Sequence, residues 1–162
     1  QAAGARTAVP RLLEHNERGP LVFLAAEVEP FSKSGGLANV VAELPRELVR
    51  LGEQACVITP LYRHGDSKAV ARMRRAVEEH GIAYTGTNVR FWIDGVEYES
   101  GVHSGFVEGV RFFLLDHHEF FDGLYWGITA REKLRRRIAF ARAAATAAVG
   151  SLSKWRRRWL LR

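Results

Sequence analysis

Only one cysteine, Cys56, occurs in the 162 residues, so the chain cannot form an internal disulfide, and we expect a reducing, cytoplasmic environment. No apolar run approaches the roughly 18 residues that a membrane-spanning helix needs, and no membrane partner is expected. Residues 1–19 begin with Gln1 and lack the charged start and apolar stretch of a secretory signal. We interpret this segment as a linker cut from something longer.

Several short motifs of catalytic and cofactor-binding proteins are also missing. The sequence contains neither the dinucleotide fingerprint G-x-G-x-x-G nor the phosphate loop G-x-x-x-x-G-K-[ST], and it has no G-x-S-x-G nucleophile elbow. His117 and His118 stand beside Glu119 and Asp122, but no C-x-x-C or H-E-x-x-H spacing supports a metal site. Adjacent histidines on a strand point to opposite faces. We therefore expect no metal and no cofactor.

Positive charge is concentrated at one end of the chain. Residues 131–162 carry 11 Lys/Arg and one acid, whereas the remainder carries 13 Lys/Arg and 17 acids, for a net charge of +6 overall. This distribution indicates a basic tail and not a basic nucleic-acid-binding domain. We interpret residues 151–162, SLSKWRRRWLLR, as an incidental or non-native end; the alternative is a basic amphipathic segment for membranes or nucleic acid.

The first part of the chain has the pattern of a strand, a helix and a second strand. The full chain has 47% hydrophobic residues and can bury one sizeable core, so we expect residues 20–150 to form one domain. Leu21–Ala26 is a short apolar run typical of a strand covered on both faces, and Gln54–Pro60 is a second. Between them, apolar residues recur at helical spacing, with Pro45 expected to kink or split the helix. These residues are Leu37, Val40, Val41, Leu44, Leu48 and Leu51. Such a unit makes the two strands parallel neighbours.

The middle of the chain favours antiparallel strands. After a charged helix over Ser67–His80, the turns Asp94-Gly95 and Glu108-Gly109 separate short strands, and Asp-Gly is a strong hairpin signal. The expected strands are Asn88–Trp92, Val96–Ser100, His103–Val107 and Val110–Leu115. Ala130–Val149 is again helical, with its arginines on the outer side. The pattern predicts an α/β fold in which an antiparallel hairpin insertion lies beside a parallel sheet flanked by helices.

The segment FSKSGGLANV connects the first strand to the first helix and is the main candidate site. The adjacent Gly35 and Gly36 let backbone amides approach an anion at the start of a helix, where the helix dipole is favourable. Lys33 adds a positive charge and Ser34 a hydroxyl donor. This combination indicates a site for a diphosphate or a sugar nucleotide at the carboxyl end of a parallel strand. The alternative is a tight turn without a ligand.

Residues 21–63 resemble the amino-terminal end of the bacterial glycogen synthase and plant starch synthase family, glycosyltransferase family 5. The matching pattern is a strand, S/A-E-x-x-P, K-T-G-G-L-A/G-D-V, and a helix interrupted by proline. The residues in register are Glu27, Pro30, Lys33, Gly35, Gly36, Leu37, Val40 and Pro45. Two later stretches are similar to family segments, namely RFFLLDHHEFFDGLYW and the helix REKLRRRIAFARAAATAA. The resemblance covers about residues 20 to 150.

The resemblance implies a fold and a reaction. Family members use a GT-B architecture of two Rossmann-like domains, and they transfer glucose from ADP-glucose, or in some cases UDP-glucose, to an α-1,4-glucan with retention of configuration. This chain would be the N-terminal half, in which Lys33, Gly35 and Gly36 contact the donor and Glu27 supports the loop. The implied substrate-binding residues are Lys33, Ser34, Gly35, Gly36, Asn39, Asp116, His117 and Tyr125, with Trp126 beside them. No catalytic residue is assigned.

The sequence also departs from the family. Ser34 replaces the usual Thr, Asn39 the usual Asp, and His118 the Pro of Asp-His-Pro. The H-D-W-H motif expected after the last helix is absent, as is the second domain. We therefore expect an incomplete domain with little or no transferase activity unless the missing C-terminal half is supplied. A non-catalytic glucan- or nucleotide-binding remnant is the alternative, and a nucleic-acid binder acting through the basic tail is a third.

Overall fold

The computed structural model describes residues 19–63, 67–123 and 129–159. Five strands and three helices follow one another along these residues, with the two amino-terminal strands separated by a helix. The elements are β1 (Leu21–Leu24), α1 (Leu37–Arg50), β2 (Ala55–Pro60), α2 (Ser67–Glu79), β3 (Ala83–Ile93), β4 (Val96–Val107), β5 (Val110–Asp116) and α3 (Ala130–Trp159).

The strands form one mixed sheet in the order β1-β2-β5-β4-β3. β1, β2 and β5 are parallel, whereas β4 is antiparallel to both β5 and β3. The predicted strand-helix-strand unit and the antiparallel insertion beside a parallel sheet are therefore confirmed. No described helix is both long enough and apolar enough to cross a membrane.

Two tight turns build the antiparallel part. Asp94 and Gly95 have φ of 51° and 80°, and Glu108 and Gly109 have φ of 48° and 82°. Left-handed conformation at both central residues matches the twist of hairpin strands, which explains the Asp-Gly and Glu-Gly pairs. The prediction of two strands between these turns is wrong. The two predicted strands are one strand, β4, which runs without interruption through Gly101. Gly101 is paired with β3 on one side and with β5 on the other.

The sheet is covered on both faces, and β2 lies at the centre of both cores. All six residues of β2 are buried. Cys56 and Ile58 contribute to the core on the α3 side, whereas Val57 contributes to the core on the α1 and α2 side. Successive residues of a strand point to opposite faces, so one apolar run serves both cores.

Helix α1 contacts the sheet with a face that shares only Val41 with the predicted stripe. Its buried residues are Ala38, Val41 and Pro45, and α1 is one uninterrupted helix in spite of the proline. Four of the six predicted stripe residues are more than a third exposed, namely Leu37, Val40, Leu44 and Leu51. The helix carries two apolar stripes, and the one that faces the sheet has the smaller side chains.

Helix α3 also differs from expectation. It continues to Trp159, ten residues beyond the predicted end at Val149, since a glycine such as Gly150 costs a helix only about 1 kcal/mol. Its buried face consists of Ala139, Ala143, Ala144 and Ala147, whereas Ile138 is partly exposed. Alanine on this face lets the helix lie close to the sheet.

Strand β1 was predicted to be covered on both faces, and this is confirmed for its two central residues: Val22 packs against the core on the α3 side and Phe23 against the core on the α1 and α2 side. β1 lies at the edge of the sheet and ends at Leu24, and Leu21 and Leu24 are exposed. Its composition is that of a central strand, but its position is that of an edge strand.

Candidate functional site

The candidate site lies where the three parallel strands end. The carboxyl ends of β1, β2 and β5 meet at the same edge of the sheet, since these strands are parallel neighbours. The loop 25–36 follows β1, Arg63 follows β2, and Asp116 is the last residue of β5. In open α/β sheets this edge is the usual place for ligands.

A buried carboxylate lies under the loop. Glu27 is only 2% exposed, and its Oε2 accepts hydrogen bonds from both the amide and the hydroxyl of Ser34, each at 2.6 Å. Val28 and Phe31 are fully buried and anchor the same segment in the core. The hydroxyl of Ser34 is therefore engaged with Glu27, and the loop is held from below at the residue that precedes the glycines.

The two glycines leave the loop backbone open to solvent. Gly35 and Gly36 are exposed, and within the described residues neither amide donates a hydrogen bond to another protein group. A Cβ at Gly36 would meet nothing within 4 Å, and one at Gly35 would meet only Glu27 Oε1 at 3.9 Å. Gly36 is the N-cap residue of α1 and supplies no side-chain cap. The positive end of α1 is thus accessible to an anion.

Lys33 belongs to a small charged network beside these amides. Its Nζ donates to Asn39 Oδ1 at 2.8 Å and pairs with Glu29 Oε1 at 3.0 Å, and Glu29 also pairs with Arg72 of α2. Burial raises the pKa of Glu29, but hydrogen bonds from Lys33 and Arg72 outweigh it, so the pKa is below its ordinary value. Two cations share one ionised carboxylate, and the network carries one net positive charge.

Asp116 is paired at the end of β5. Its Oδ2 lies 2.7 Å from Arg63 Nη2 and 3.6 Å from His103 Nε2. Burial raises the pKa of Asp116, and the hydrogen bond with His103 and the charge of Arg63 lower it further than burial raises it. The side chain remains 26% exposed, so an ionised carboxylate faces this edge of the sheet.

His117 lies inward, in an aromatic cluster. It is 8% exposed, and its ring lies against Phe91, Tyr98 and Phe120. Its Nδ1 accepts a hydrogen bond from the Glu119 amide at 3.1 Å. Burial and then the neighbouring His118 lower the pKa of His117, which keeps the ring neutral near pH 7.

The two histidines do not point to opposite faces, as the sequence had suggested. β5 ends at Asp116, and the His117 and His118 rings stack at 5.0 Å with an interplanar angle of 10°. In the described ranges, no three His, Cys, Asp or Glu side chains are grouped to hold a metal ion. Tyr125 and Trp126, the other predicted cleft residues, lie outside the described residues.

The structure adds a cavity that sequence reasoning missed. A space of about 300 Å³ lies at the same edge of the sheet, between the strand ends and α3. Its walls include Tyr62, Phe120 and Phe140, and Arg136 Nη1 is buried there and has no hydrogen-bond partner among the described residues. Three basic residues of α3 line the cavity, namely Lys133, Arg136 and Arg137. Their spacing of three and four places them on one face of the helix, and this spacing is the sequence pattern that could have indicated the cavity. The expectation that the α3 arginines lie on the outer side is wrong for Arg136.

A family model described as starch synthase catalytic domain matches residues 20–159. The glycogen synthase of Koribacter versatilis is 37% identical over 102 residues, which are 63% of this chain and 19% of that protein. Starch synthase 2 of Arabidopsis thaliana is 29% identical over 127 residues, 76% of this chain and 14% of that protein. The matched part of the chain spans no more than about a fifth of the length of these curated relatives.

A solved structure shares the fold. The catalytic domain of Starch Synthase IV from Arabidopsis thaliana, bound to ADP and acarbose, matches with a TM-score of 0.64 and 28% identity. The match covers 82% of this chain and 26% of that chain. Sequence and structure comparisons therefore agree on one family and one architecture, the GT-B type.

Proposed function

This chain belongs to the starch synthase catalytic domain family, and we propose that it forms part of a retaining glucosyltransferase that transfers glucose from ADP-glucose to an α-1,4-glucan. ADP in the matched Starch Synthase IV structure supports adenine in the donor, with UDP-glucose as the alternative. Because the chain spans no more than about a fifth of these relatives' length, we propose that transfer requires the remaining polypeptide and that the isolated chain is inactive. We place the enzyme in the cytoplasm, in keeping with the free thiol of Cys56.

One observation carries the proposal, the pair of exposed amides at Gly35 and Gly36 beside the Lys33 ammonium. A nucleoside diphosphate gains negative charge as the glycosidic bond to glucose breaks. Fixed backbone donors and a cation that face this charge stabilise the transition state more than the ground state. In this proposal the loop binds the diphosphate of the donor, and Glu27 holds Ser34 so that the next two amides keep their positions.

The network around Lys33 suits such a role. When Lys33 turns toward a phosphate, Glu29 keeps its ion pair with Arg72, so no carboxylate is left without a cation. Leaving a partly buried charge unpaired would otherwise oppose binding. Asn39 occupies the position at which the family pattern has Asp. It accepts a hydrogen bond from Lys33 without adding a negative charge next to the proposed phosphate site.

Asp116 is proposed to face the sugar part of the substrates. Its carboxylate is ionised, partly exposed and held by Arg63. An ionised carboxylate accepts hydrogen bonds from hydroxyl groups, which glucose and glucan present in number. His117 is proposed to act through position, since its buried neutral ring supports the turn that follows β5.

A non-catalytic nucleotide- or glucan-binding remnant is the second candidate. The observation that favours it is Asn39, which stands at the position of a family Asp and ties up the Lys33 ammonium. An assay of glucose transfer distinguishes the two candidates. If the remaining polypeptide of a relative is supplied and glucose is then transferred to a glucan, the chain is part of an enzyme; if binding occurs without transfer, it is a remnant.

Calorimetric titration of the chain with ADP-glucose tests the site. Lys33→Ala should weaken binding by about tenfold or more, because a hydrogen bond to a charged group contributes about 1.5 to 3 kcal/mol. Arg90→Ala is the matched control, since Arg90 is an exposed cation on β3, at the far edge of the sheet. Equal affinities of wild type and Lys33→Ala, or equal losses in both variants, would contradict the proposal.

A further inference from the structure

Arg72 of α2 contacts the loop that carries the proposed phosphate site. Its Nε donates a hydrogen bond to the Pro30 carbonyl at 3.1 Å, and its Nη2 donates to Glu29 Oε2. A guanidinium presents several donors in fixed directions, which suits such a double contact. Glu29 is also the ion-pair partner of Lys33. Arg72 therefore contacts the partner of Lys33 as well as the loop backbone.

The hydrophobic core fixes where Arg72 lies relative to the loop. Met73, the next residue of α2, is 2% exposed, and Phe31 of the loop is fully buried. Both belong to the core cluster on the α1 and α2 side of the sheet. Because both sides of the contact are anchored in one core, the contact between Arg72 and the loop does not depend on Lys33.

Glu29 is the group that both cations share. Its side chain is 24% exposed, and among the described residues its ion-pair partners are Lys33 and Arg72. A partly buried carboxylate that loses its last cation is destabilised. Lys33 can therefore leave Glu29 for a phosphate at low cost only while Arg72 still pairs with Glu29.

We propose that Arg72 is a positioning residue for the donor: by neutralising Glu29, it leaves the Lys33 ammonium free to turn from Glu29 to the diphosphate. With Arg72 present, the network of two cations and one carboxylate carries one net positive charge. Without Arg72, Lys33 and Glu29 cancel each other, and the carboxylate both retains Lys33 and repels an approaching phosphate. The proposal rests on the phosphate role of Lys33 proposed above, and it requires no contact between Arg72 and the nucleotide.

Calorimetric titration of variants with ADP-glucose tests this role. Arg72→Met removes the charge and both donors and keeps most of the aliphatic stem. The Arg72 side chain is 44% exposed, and exposed ion pairs are weak, so the variant should bind about threefold to fivefold more weakly than wild type. Combining Arg72→Met with Glu29→Gln should restore wild-type affinity, because no carboxylate then retains Lys33. A merely structural role of Arg72 would not give this rescue, since the double variant also lacks the Arg72 contacts.

Arg74→Met is the matched control. Arg74 is an exposed arginine two residues further along α2, and at 100° per residue it lies on the other side of the helix from Arg72. The substitution removes the same charge from the same helix and should leave the affinity for ADP-glucose unchanged. Thermal melting of all variants checks that the chain still folds.

The reactivity of Lys33 in the chain without nucleotide tests the role of Arg72 apart from the proposed function. An ion pair favours the protonated form of a lysine, which does not react with acetylating reagents. Acetylation followed by peptide mass spectrometry, with Lys133 as the internal reference, should show Lys33 reacting about threefold more slowly in Arg72→Met than in wild type. In the double variant with Glu29→Gln, Lys33 should react at least as fast as in wild type.

Three outcomes would overturn the proposal. The first is an Arg72→Met variant with wild-type affinity and wild-type Lys33 reactivity. The second is a double variant that binds as weakly as Arg72→Met, which would assign Arg72 a structural role only. The third is an equal loss of affinity in Arg74→Met. A wild-type chain that does not bind ADP-glucose would contradict the proposed function instead, and the Lys33 reactivities, which need no nucleotide, would then confirm or refute the control of Lys33 by Arg72.

Discussion

Replacing Glu27 by Gln should loosen the loop that carries the proposed phosphate site. Glu27 is 2% exposed, and its Oε2 accepts two hydrogen bonds from Ser34, one from the amide and one from the hydroxyl. Gln has nearly the same volume, so the substitution removes the charge and leaves the packing. The amide oxygen of Gln is also a weaker acceptor.

The expected loss follows from these two bonds. A hydrogen bond to a charged group contributes about 1.5 to 3 kcal/mol and a neutral one about 0.5 to 1.5 kcal/mol, so two bonds lose about 2 kcal/mol. Removing a buried charge also relieves its desolvation, which offsets part of the loss. We therefore expect Glu27→Gln to lower the free energy of unfolding by about 1 to 2 kcal/mol. Ser34→Ala removes only the hydroxyl bond and should cost about half as much.

Urea unfolding followed by circular dichroism measures these changes, and a double-mutant cycle isolates the pair. Glu27→Gln and Ser34→Ala should show a coupling energy of about 0.5 to 1.5 kcal/mol. Glu43→Gln, an exposed carboxylate on α1, is the control and should change stability by less than about 0.5 kcal/mol. A coupling energy of zero, with Glu27→Gln indistinguishable from Glu43→Gln, would refute the argument that Glu27 holds the loop.

Three further predictions concern the core. Gly105→Ala should destabilise the fold by about 1 to 2 kcal/mol, because the new Cβ would lie 2.6 Å from Ile82 Cδ1. Gly101→Ala should be neutral or stabilising, because the nearest neighbour of its Cβ would lie at 3.5 Å. Urea unfolding measures both changes, and a larger loss of stability in Gly101→Ala than in Gly105→Ala would contradict the prediction. Burial raises the pKa of Cys56 to about 11, so a thiol reagent should label it at pH 8 only after unfolding, and rapid labelling of the native chain would show that the thiol is accessible. Because the pKa of His117 is lowered on folding, the unfolded chain binds its proton first, and stability should fall as the pH drops below about 6.5; His117→Phe should remove this part of the pH dependence, and an unchanged slope would argue against it.

Local patterns were enough to predict the parallel unit and the hairpins. β2 was predicted within one residue and the first helix was placed correctly, because continuous apolar runs and Asp-Gly turns are local signals. The face of α1 that meets the sheet was predicted wrongly, since Ala38 and Pro45 are weaker apolar signals than the leucines of the exposed stripe. The choice between two stripes depends on how closely helix and sheet approach, which is a non-local property.

The candidate site was also predictable only where it depends on neighbouring residues in the sequence. The loop of Lys33, Gly35 and Gly36 stood out in the sequence because it combines a cation with two glycines at a helix start. Arg72, which shares Glu29 with Lys33, is 43 residues away from Glu29 and belongs to α2, so no local pattern could show it. The stacking of His117 on His118 was missed because the expectation of opposite faces holds only within a strand, and β5 ends at Asp116, before both histidines.

The central claim is that the amides of Gly35 and Gly36 bind the diphosphate of a sugar nucleotide. Titration of the isotope-labelled chain with ADP-glucose, followed by amide nuclear magnetic resonance, tests it residue by residue. We expect the largest shift changes at Gly35 and Gly36, with a single saturation curve that Lys33→Ala displaces to higher concentration. Unmoved Gly35 and Gly36 signals at saturation, or changes confined to the cavity beside α3, would contradict the claim.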